Sequence, residues 1–222
     1  MSERRGVWST LSSPLVYEAF HHLIGARRWL RRFAREVINA RAGDLVLDVG
    51  CGPGALLRYL PDGASYIGFD RNQAYIARAR REHGDRGTFI CDDVSRFAEH
   101  AIAPADIAVL IGVLHHLSDD LARSLTHAIA DCLKPGGRLV TADPCYHEGQ
   151  SPLQRFLVGN DRGMHVRPLE RYEGLCTAPL SRVTTTLQSA HLPFPYSICV
   201  MEAERLQSLA RTDAASSQFS DS

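Results

Sequence analysis

The sequence predicts a doubly wound α/β fold, with seven strands in one sheet, helices on both faces and the last strand antiparallel. Three observations predict it. Residues 44–54 read as a buried apolar strand (Leu45, Val46, Leu47, Val49) that runs directly into a glycine-rich turn. Strand-length apolar runs then alternate with helix-length segments, the spacing of right-handed βαβ units. Finally, 181–187 and 196–202 are rich in Thr, Val, Ile and Tyr, and the proline-containing 191–195 separates them, so they read as an antiparallel pair closing the sheet.

The elements follow in order. Residues 1–13 are expected to be flexible. Across 14–40, Leu15, Val16, Phe20, Leu23, Ile24, Leu30, Phe33, Val37 and Ile38 recur at helical spacing, with Ser12 or Ser13 as cap and Gly25 dividing two helices. The second of these carries Arg27, Arg28, Arg31, Arg32 and Arg35. After the first strand and its turn come a short helix over 55–60 and a second strand, 64–70, ending at Asp70, 22 residues beyond Asp48. A helix over 72–82, with Asn72 able to cap it, leads to a third strand, 88–91, followed by Asp92-Asp93-Val94. The continuous apolar run 105–112 is a strand buried on both faces. Val113-Leu114-His115-His116-Leu117 and a helix over 118–133 follow. Lys134-Pro135-Gly136-Gly137 then turns into a fifth strand, 138–143. Residues 144–178 break the rhythm, with Pro144, Pro152 and Pro168 and one helix over 170–176, and read as an insertion covering a substrate. Residues 14–205 are expected to form one domain and 206–222 a disordered tail.

Composition narrows the function. A chain of 222 residues with 45% hydrophobic and 23% charged residues is an ordinary globular domain. Its formal net charge of zero gives no electrostatic case for nucleic acid. The charge is uneven, since residues 1–41 hold eight Arg against three Glu, and a basic amphipathic helix can meet an anionic membrane or simply be a solvated face. The six cysteines are scattered without a C-x-x-C pair, so no zinc site or disulfide framework is indicated and a reduced cytoplasmic protein is expected. His21 and His22 are adjacent and cannot share a helix face as a metal pair. No apolar stretch approaches the length of a membrane span.

Several segments together are similar to one family, the class I S-adenosylmethionine-dependent methyltransferases of the small stand-alone kind, whose sheet is Rossmann-like. Val-Leu-Asp-Val-Gly-Cys-Gly-Pro-Gly (46–54) resembles the family's first motif, Gly-Phe-Asp70 the acidic end of strand two, and Asp92-Asp93-Val94 the third motif. Val-Leu-His-His-Leu (113–117) and Leu-Lys-Pro-Gly-Gly-Arg-Leu (133–139) resemble the segments after strand four and before strand five. The likeness spans 44–143 by motif and 15–43 and 178–203 by arrangement. It implies S-adenosyl-L-methionine as cofactor, with S-adenosyl-L-homocysteine as product. Asp48 is then placed near the methionyl ammonium, and Gly50, Cys51, Gly52 and Gly54 form a turn that lets the backbone approach. Asp70, beside Arg71, takes the ribose diol. Asp93 with the Val94 N–H, or else Asp92, reads the adenine. Ile111 and Gly112 line the cofactor, and Tyr17 closes over it. Two rival readings are weaker. A nicotinamide-dependent oxidoreductase calls for G-x-G-x-x-G rather than the G-x-G-x-G found here, and Lys134, the only lysine, has Ala130 rather than a tyrosine four residues before it. A non-catalytic cofactor-binding scaffold would go with degraded motifs, and these are intact.

Methyl transfer to oxygen needs a proton removed, and a histidine suits that at neutral pH. His115 and His116, just past strand four, are the candidate bases. His147, Arg162, His165 and Arg167, with Asp161, are the candidate acceptor-binding group, the arginines by paired hydrogen bonds to an anionic substituent. The acceptor is expected to be a small molecule, with a lipid or quinone at a membrane surface as the second reading. No metal site is expected.

Overall fold

A computed structural model of the chain describes residues 26–160, 163–191 and 195–206. The expected flexible start, the first helix of the 14–40 pair with Tyr17, His21, His22 and Gly25, Asp161 and Arg162, and the tail beyond 206 lie outside those residues.

The strands are β1 (Leu45–Val49), β2 (Ser65–Asp70), β3 (Thr88–Cys91), β4 (Ala105–Ile111), β5 (Leu133–Tyr146), a two-residue β6 (Arg167–Pro168), β7 (Leu180–His191) and β8 (Pro195–Arg205). They form one sheet in the order β3-β2-β1-β4-β5-β8-β7, with β6 beside β5. Pairings among β1 to β5 are parallel, and β8 runs antiparallel between β5 and β7. The order reverses at β1/β4, the point at which open α/β sheets bind ligands beyond their carboxyl ends.

Alternation along each strand feeds a separate core on each face. On one side Val46, Ile107, Val109, Val140 and Val200 meet Phe33, Ala34 and Ile38 of the N-terminal helical segment, and Ile76 and Ala79 of the helix after β2. These helices are α1 (Ala26–Phe33), which widens into a looser turn over Ala34–Ile38, and α2 (Gln73–His83). Each fully buried Phe or Ile contributes about 2 kcal/mol to holding that cover down. On the other side Leu47, Val49, Ala108, Leu110, Leu139 and Met201 pack on Leu125 and Ile129 of α3 (Asp119–Cys132). Ser118 caps α3 through Leu121 N–H, and Asn72 caps α2 through the Ala74 and Tyr75 N–H groups. Between β5 and β7 lie α4 (Pro152–Gly159), closed by a Ser151/Gln154 capping box, and the single turn α5 (Leu169–Tyr172).

Three local expectations change. The helix expected over 55–60 is a tighter 3₁₀ turn, Ala55–Tyr59, entered through Gly54 at φ 76°. The helix expected over 170–176 is one α turn followed by a 3₁₀ turn, Glu173–Leu175. Lys134 to Gly137, read as a turn, belongs to β5. Leu133 pairs with Ala105, and the register then shifts before Arg138 pairs with Ile107, so the extra residues are taken up as an irregularity in the strand. Lys134 Nζ reaches both oxygens of Asp106 there, at 2.8 and 2.7 Å.

Candidate functional site

The turn after β1 takes its shape from three glycines at positive φ, 82° at Gly50, 55° at Gly52 and 76° at Gly54. The Gly50 and Cys51 N–H groups donate to Phe69 O at 2.7 and 3.1 Å. A Cβ at Gly50 would lie 2.4 Å from Val113 Cγ2, and one at Gly54 would press on Phe89 and His83. Among the described residues a Cβ at Gly52 would meet nothing within 4 Å, so on that side the middle of the turn faces open space. Cys51 is buried against Gly68, and burial pushes its thiol far above the ordinary range. It is packing, with no thiolate to offer.

Asp70 fastens this turn to the next element. Its Oδ2 accepts from Gly52 N–H at 2.9 Å and its Oδ1 from Asn72 N–H at 2.7 Å. Asp48 is 3% exposed and accepts a 2.6 Å hydrogen bond from Tyr66 Oη. Burial lifts its carboxyl to about 7, the Tyr66 hydrogen bond opposes the shift, and nearby Asp70 adds to it.

The end of β3 joins the same edge, for Asp92 N–H donates to Asp70 O at 3.2 Å. The aspartate doublet divides its work. Asp92 faces His100 Nε2 at 2.9 Å, accepts from Asp93 N–H at 2.8 Å and lies 3.4 Å from an Arg96 nitrogen. The His100 hydrogen bond leads in holding its carboxyl low. Asp93 caps the following turn through Ser95 N–H, which lowers its carboxyl, and Arg71 approaches it at 3.8 Å. Val94 begins that turn, half-buried. At the end of β4, Ile111 is half-buried and Gly112, at φ 69°, donates to Ala142 O at 2.8 Å.

His115 follows on a short turn and is 4% exposed. Its Nδ1 lies 2.7 Å from Asp143 Oδ1, which also accepts the His115 backbone N–H at 3.1 Å. Because Oδ1 already accepts from the backbone N–H, a proton on Nδ1 completes the pair and leaves Nε2 as the basic nitrogen. The carbons on either side of Nε2 meet two glycines. Cδ2 packs against Gly163, where a Cβ would come within 2.0 Å, and Cε1 lies 3.6 Å from a Cβ placed on Gly112. The Nε2 edge therefore sits between the β4 terminus and the segment that returns from α4. His116 is exposed, its ring centroid 4.1 Å from that of His115.

Two expected acceptor contacts are corrected. Arg167 is 4% exposed and its guanidinium is fully engaged inside the protein. It donates to Asp119 Oδ1 (2.8 Å), Leu114 O (2.7 Å), His165 O (3.0 Å) and Leu117 O (2.6 Å), and lies over the Tyr172 ring. It clamps the His115 turn rather than reaching for a ligand. His147 has both ring nitrogens in use, Nδ1 at 2.7 Å from Glu148 O and Nε2 at 3.0 Å from Ser197 Oγ, and so ties the end of β5 to β8. His165 stays close to the site, its N–H donating to His115 O at 2.9 Å. Sequence reasoning missed Asp143 and Tyr66. Asp143 was legible by the rule that singled out Asp48 and Asp70, a carboxylate at the carboxyl end of a parallel strand. Nothing in the sequence points to Tyr66. Among the described residues no helix is long and apolar enough to cross a membrane, and no cluster of three or more His, Cys, Asp or Glu could hold a metal.

Residues 46–137 match the family model described as a methyltransferase domain. An uncharacterized methyltransferase of Geobacillus sp. (strain WCH70) is 26% identical over 129 residues, 58% of this chain and 60% of that protein. The ubiquinone biosynthesis O-methyltransferase of Erwinia tasmaniensis is 31% identical over 115 residues, 50% of this chain and 45% of its own. In fold, the S-adenosylmethionine-dependent methyltransferase SibL superimposes with a TM-score of 0.69 at 20% identity, over 93% of this chain and 64% of that one. The chain spans about half the length of the curated relatives it matches.

Proposed function

We propose that this protein, whose residues 46–137 match the methyltransferase-domain family model, transfers a methyl group from S-adenosylmethionine to an oxygen of a small-molecule acceptor, with His115 as the base. The His115–Asp143 pair carries the oxygen assignment, because a buried histidine with its tautomer fixed is of use where a hydroxyl must lose its proton.

The residues at the strand ends fit the cofactor. The open face over Gly52 would admit a ligand that a side chain there would exclude, and Asp48, the buried carboxyl, would meet its cationic end. The Asp70 carboxylate and the Asp92-Asp93-Val94 turn would take its ribose and adenine, and Ile111 and Gly112 would line it. When bound, S-adenosylmethionine supplies a methyl group activated by a sulfonium leaving group. The chain's part is to align the acceptor and to receive the hydroxyl proton at His115 Nε2 while Asp143 stabilises the imidazolium through Nδ1. Arg167, by holding Leu114 O and Leu117 O, fixes the turn on which that base rides.

Calorimetric titration with S-adenosylhomocysteine, beside Asp70→Ala and an NADH control, tests the cofactor. Micromolar binding weakened by about 2 kcal/mol in the variant is expected, and binding of NADH alone would sink the reading. Labelled methyl transfer to hydroxyl, amine and thiol acceptors then tests the atom, with His115→Ala expected to lose turnover on hydroxyls while keeping affinity for S-adenosylhomocysteine. A second reading, an apolar acceptor such as a quinone drawn from a membrane surface, is supported by the exposed Leu153, Phe156 (60%) and Met164 (86%) on the segment between β5 and β7. Failure of the protein to sediment with anionic vesicles at low salt would count against it.

A further inference from the structure

Asp48 occupies an environment poor in compensation. It lies on the α1/α2 face of β1, enclosed by the core that contains Val46, Cys51 and Tyr66. The polar groups that face it are the Tyr66 hydroxyl from β2, the Cys51 thiol from the glycine turn and the Asp70 carboxylate from the end of β2. None is cationic. A buried carboxylate beside a second carboxylate, with a phenol as its hydrogen-bond donor, is a poor host for its own negative charge. A cation arriving at the same strand edge changes that balance.

Resting on the cofactor reading above, we propose that Tyr66 is a positioning residue for Asp48, and that the Asp48 carboxyl is protonated in the ligand-free protein and loses its proton to solvent as the cofactor's ammonium binds. Cofactor binding is then proton-releasing near neutral pH, and Tyr66 sets the pH at which it becomes so. Burial raises the Asp48 carboxyl to about 7, and the Tyr66 hydrogen bond is the one contribution acting in the opposite direction. Removing the phenol makes ionisation harder and displaces the transition upward. The O–H bond of Asp48 breaks, the proton goes to buffer, and the carboxylate pairs with the ammonium without any oxidant or further reactant.

The test is calorimetric titration of the full chain with S-adenosylhomocysteine from pH 5.5 to 8, in pairs of buffers with different ionisation enthalpies. Release of about half a proton at pH 7 is expected, rising toward one below that and falling toward zero above, with Kd weakening about tenfold per pH unit on the acid side. Tyr66→Phe should shift both profiles to higher pH, and Asp48→Asn should abolish the release. A merely structural role for Tyr66 would weaken binding equally at every pH. Should Tyr66→Phe not fold, the carboxylic-acid carbonyl band of Asp48 in the infrared spectrum of the wild type, lost on adding S-adenosylhomocysteine and absent from Asp48→Asn, reads the same proton. Binding with buffer-independent enthalpy and a flat Kd overturns the proposal and leaves the cofactor reading intact. Absence of binding at every pH would instead fell the cofactor reading.

Discussion

Replacing Arg167 by methionine keeps much of the side chain's apolar stem but removes every hydrogen bond its guanidinium makes. The bonds to Leu114 O and Leu117 O are buried, so two carbonyls lose a partner that water cannot easily replace, at about 1 kcal/mol each. The bond to His165 O is only partly buried and adds less. Asp119 is 35% exposed in its side chain and keeps Arg171 at 3.0 Å and Arg123 at 3.7 Å, so losing that pair costs about 0.5 kcal/mol after solvent screening. The sum is about 3 kcal/mol, a sizeable part of the 5–15 kcal/mol typical of a whole domain, roughly. In urea denaturation, with a slope of about 2 kcal/mol per molar, the midpoint should fall by about 1.5 M. Arg167→Lys should recover part of this through Asp119 but not the planar fork that spans two carbonyls. Because Leu114 and Leu117 bracket His115, turnover should fall in both variants more than affinity for S-adenosylhomocysteine. A midpoint within about 0.3 M of wild type, with turnover unchanged, would refute the clamp.

Five further outcomes are expected. Gly50→Ala should unfold the turn, since its Cβ would sit 2.4 Å from Val113 at a φ of 82°. Gly52→Ala has room and should cost about 1 kcal/mol in thermal melts while weakening S-adenosylhomocysteine binding far more. Asp143→Asn should lower turnover on a hydroxyl acceptor at least about 100-fold by replacing the carboxyl that orients the His115 ring, with Kd for S-adenosylhomocysteine unchanged. Asp48 has a folded-state pKa of about 7 against an unfolded value of 3.8, so its contribution to stability is present below 3.8 and disappears as pH rises through 7. Ligand-free Asp48→Asn should therefore melt above wild type at pH 8, with the gap narrowing as pH falls below 7 and closing only below about 3.8. Tyr172→Phe removes the 2.7 Å hydrogen bond to Pro144 O, which holds the end of β5, and should cost about 1 kcal/mol in the same melts.

The cofactor half of the site was legible because its chemistry is local. Asp48, the glycines, Asp70 and the Asp92-Asp93 doublet each sit where a strand ends, and a strand end can be read from the apolar run before it. The base and its supports are built from residues distant in the chain. His115 finds Asp143 28 positions later, and Arg167 returns across 53 residues to Leu114. An arginine in a polar segment with glycine and histidine neighbours looks solvated, and only tertiary contact reveals it as buried. The same limit explains Lys134-Pro135-Gly136-Gly137. Its composition is that of a turn, yet pairing with β4 and the Asp106 carboxylate draws it into a strand.

Because β8 lies between β5 and β7, the long strand that carries Asp143 keeps one edge without its neighbour until Arg205 has left the ribosome. Before then β1 to β4 are available to pair, while the backbone groups of Leu139 through Pro144 still await partners made some 60 residues later. A nascent chain paused short of this point would present an unpaired strand edge open to any other extended segment, and the arrival of β8 closes it.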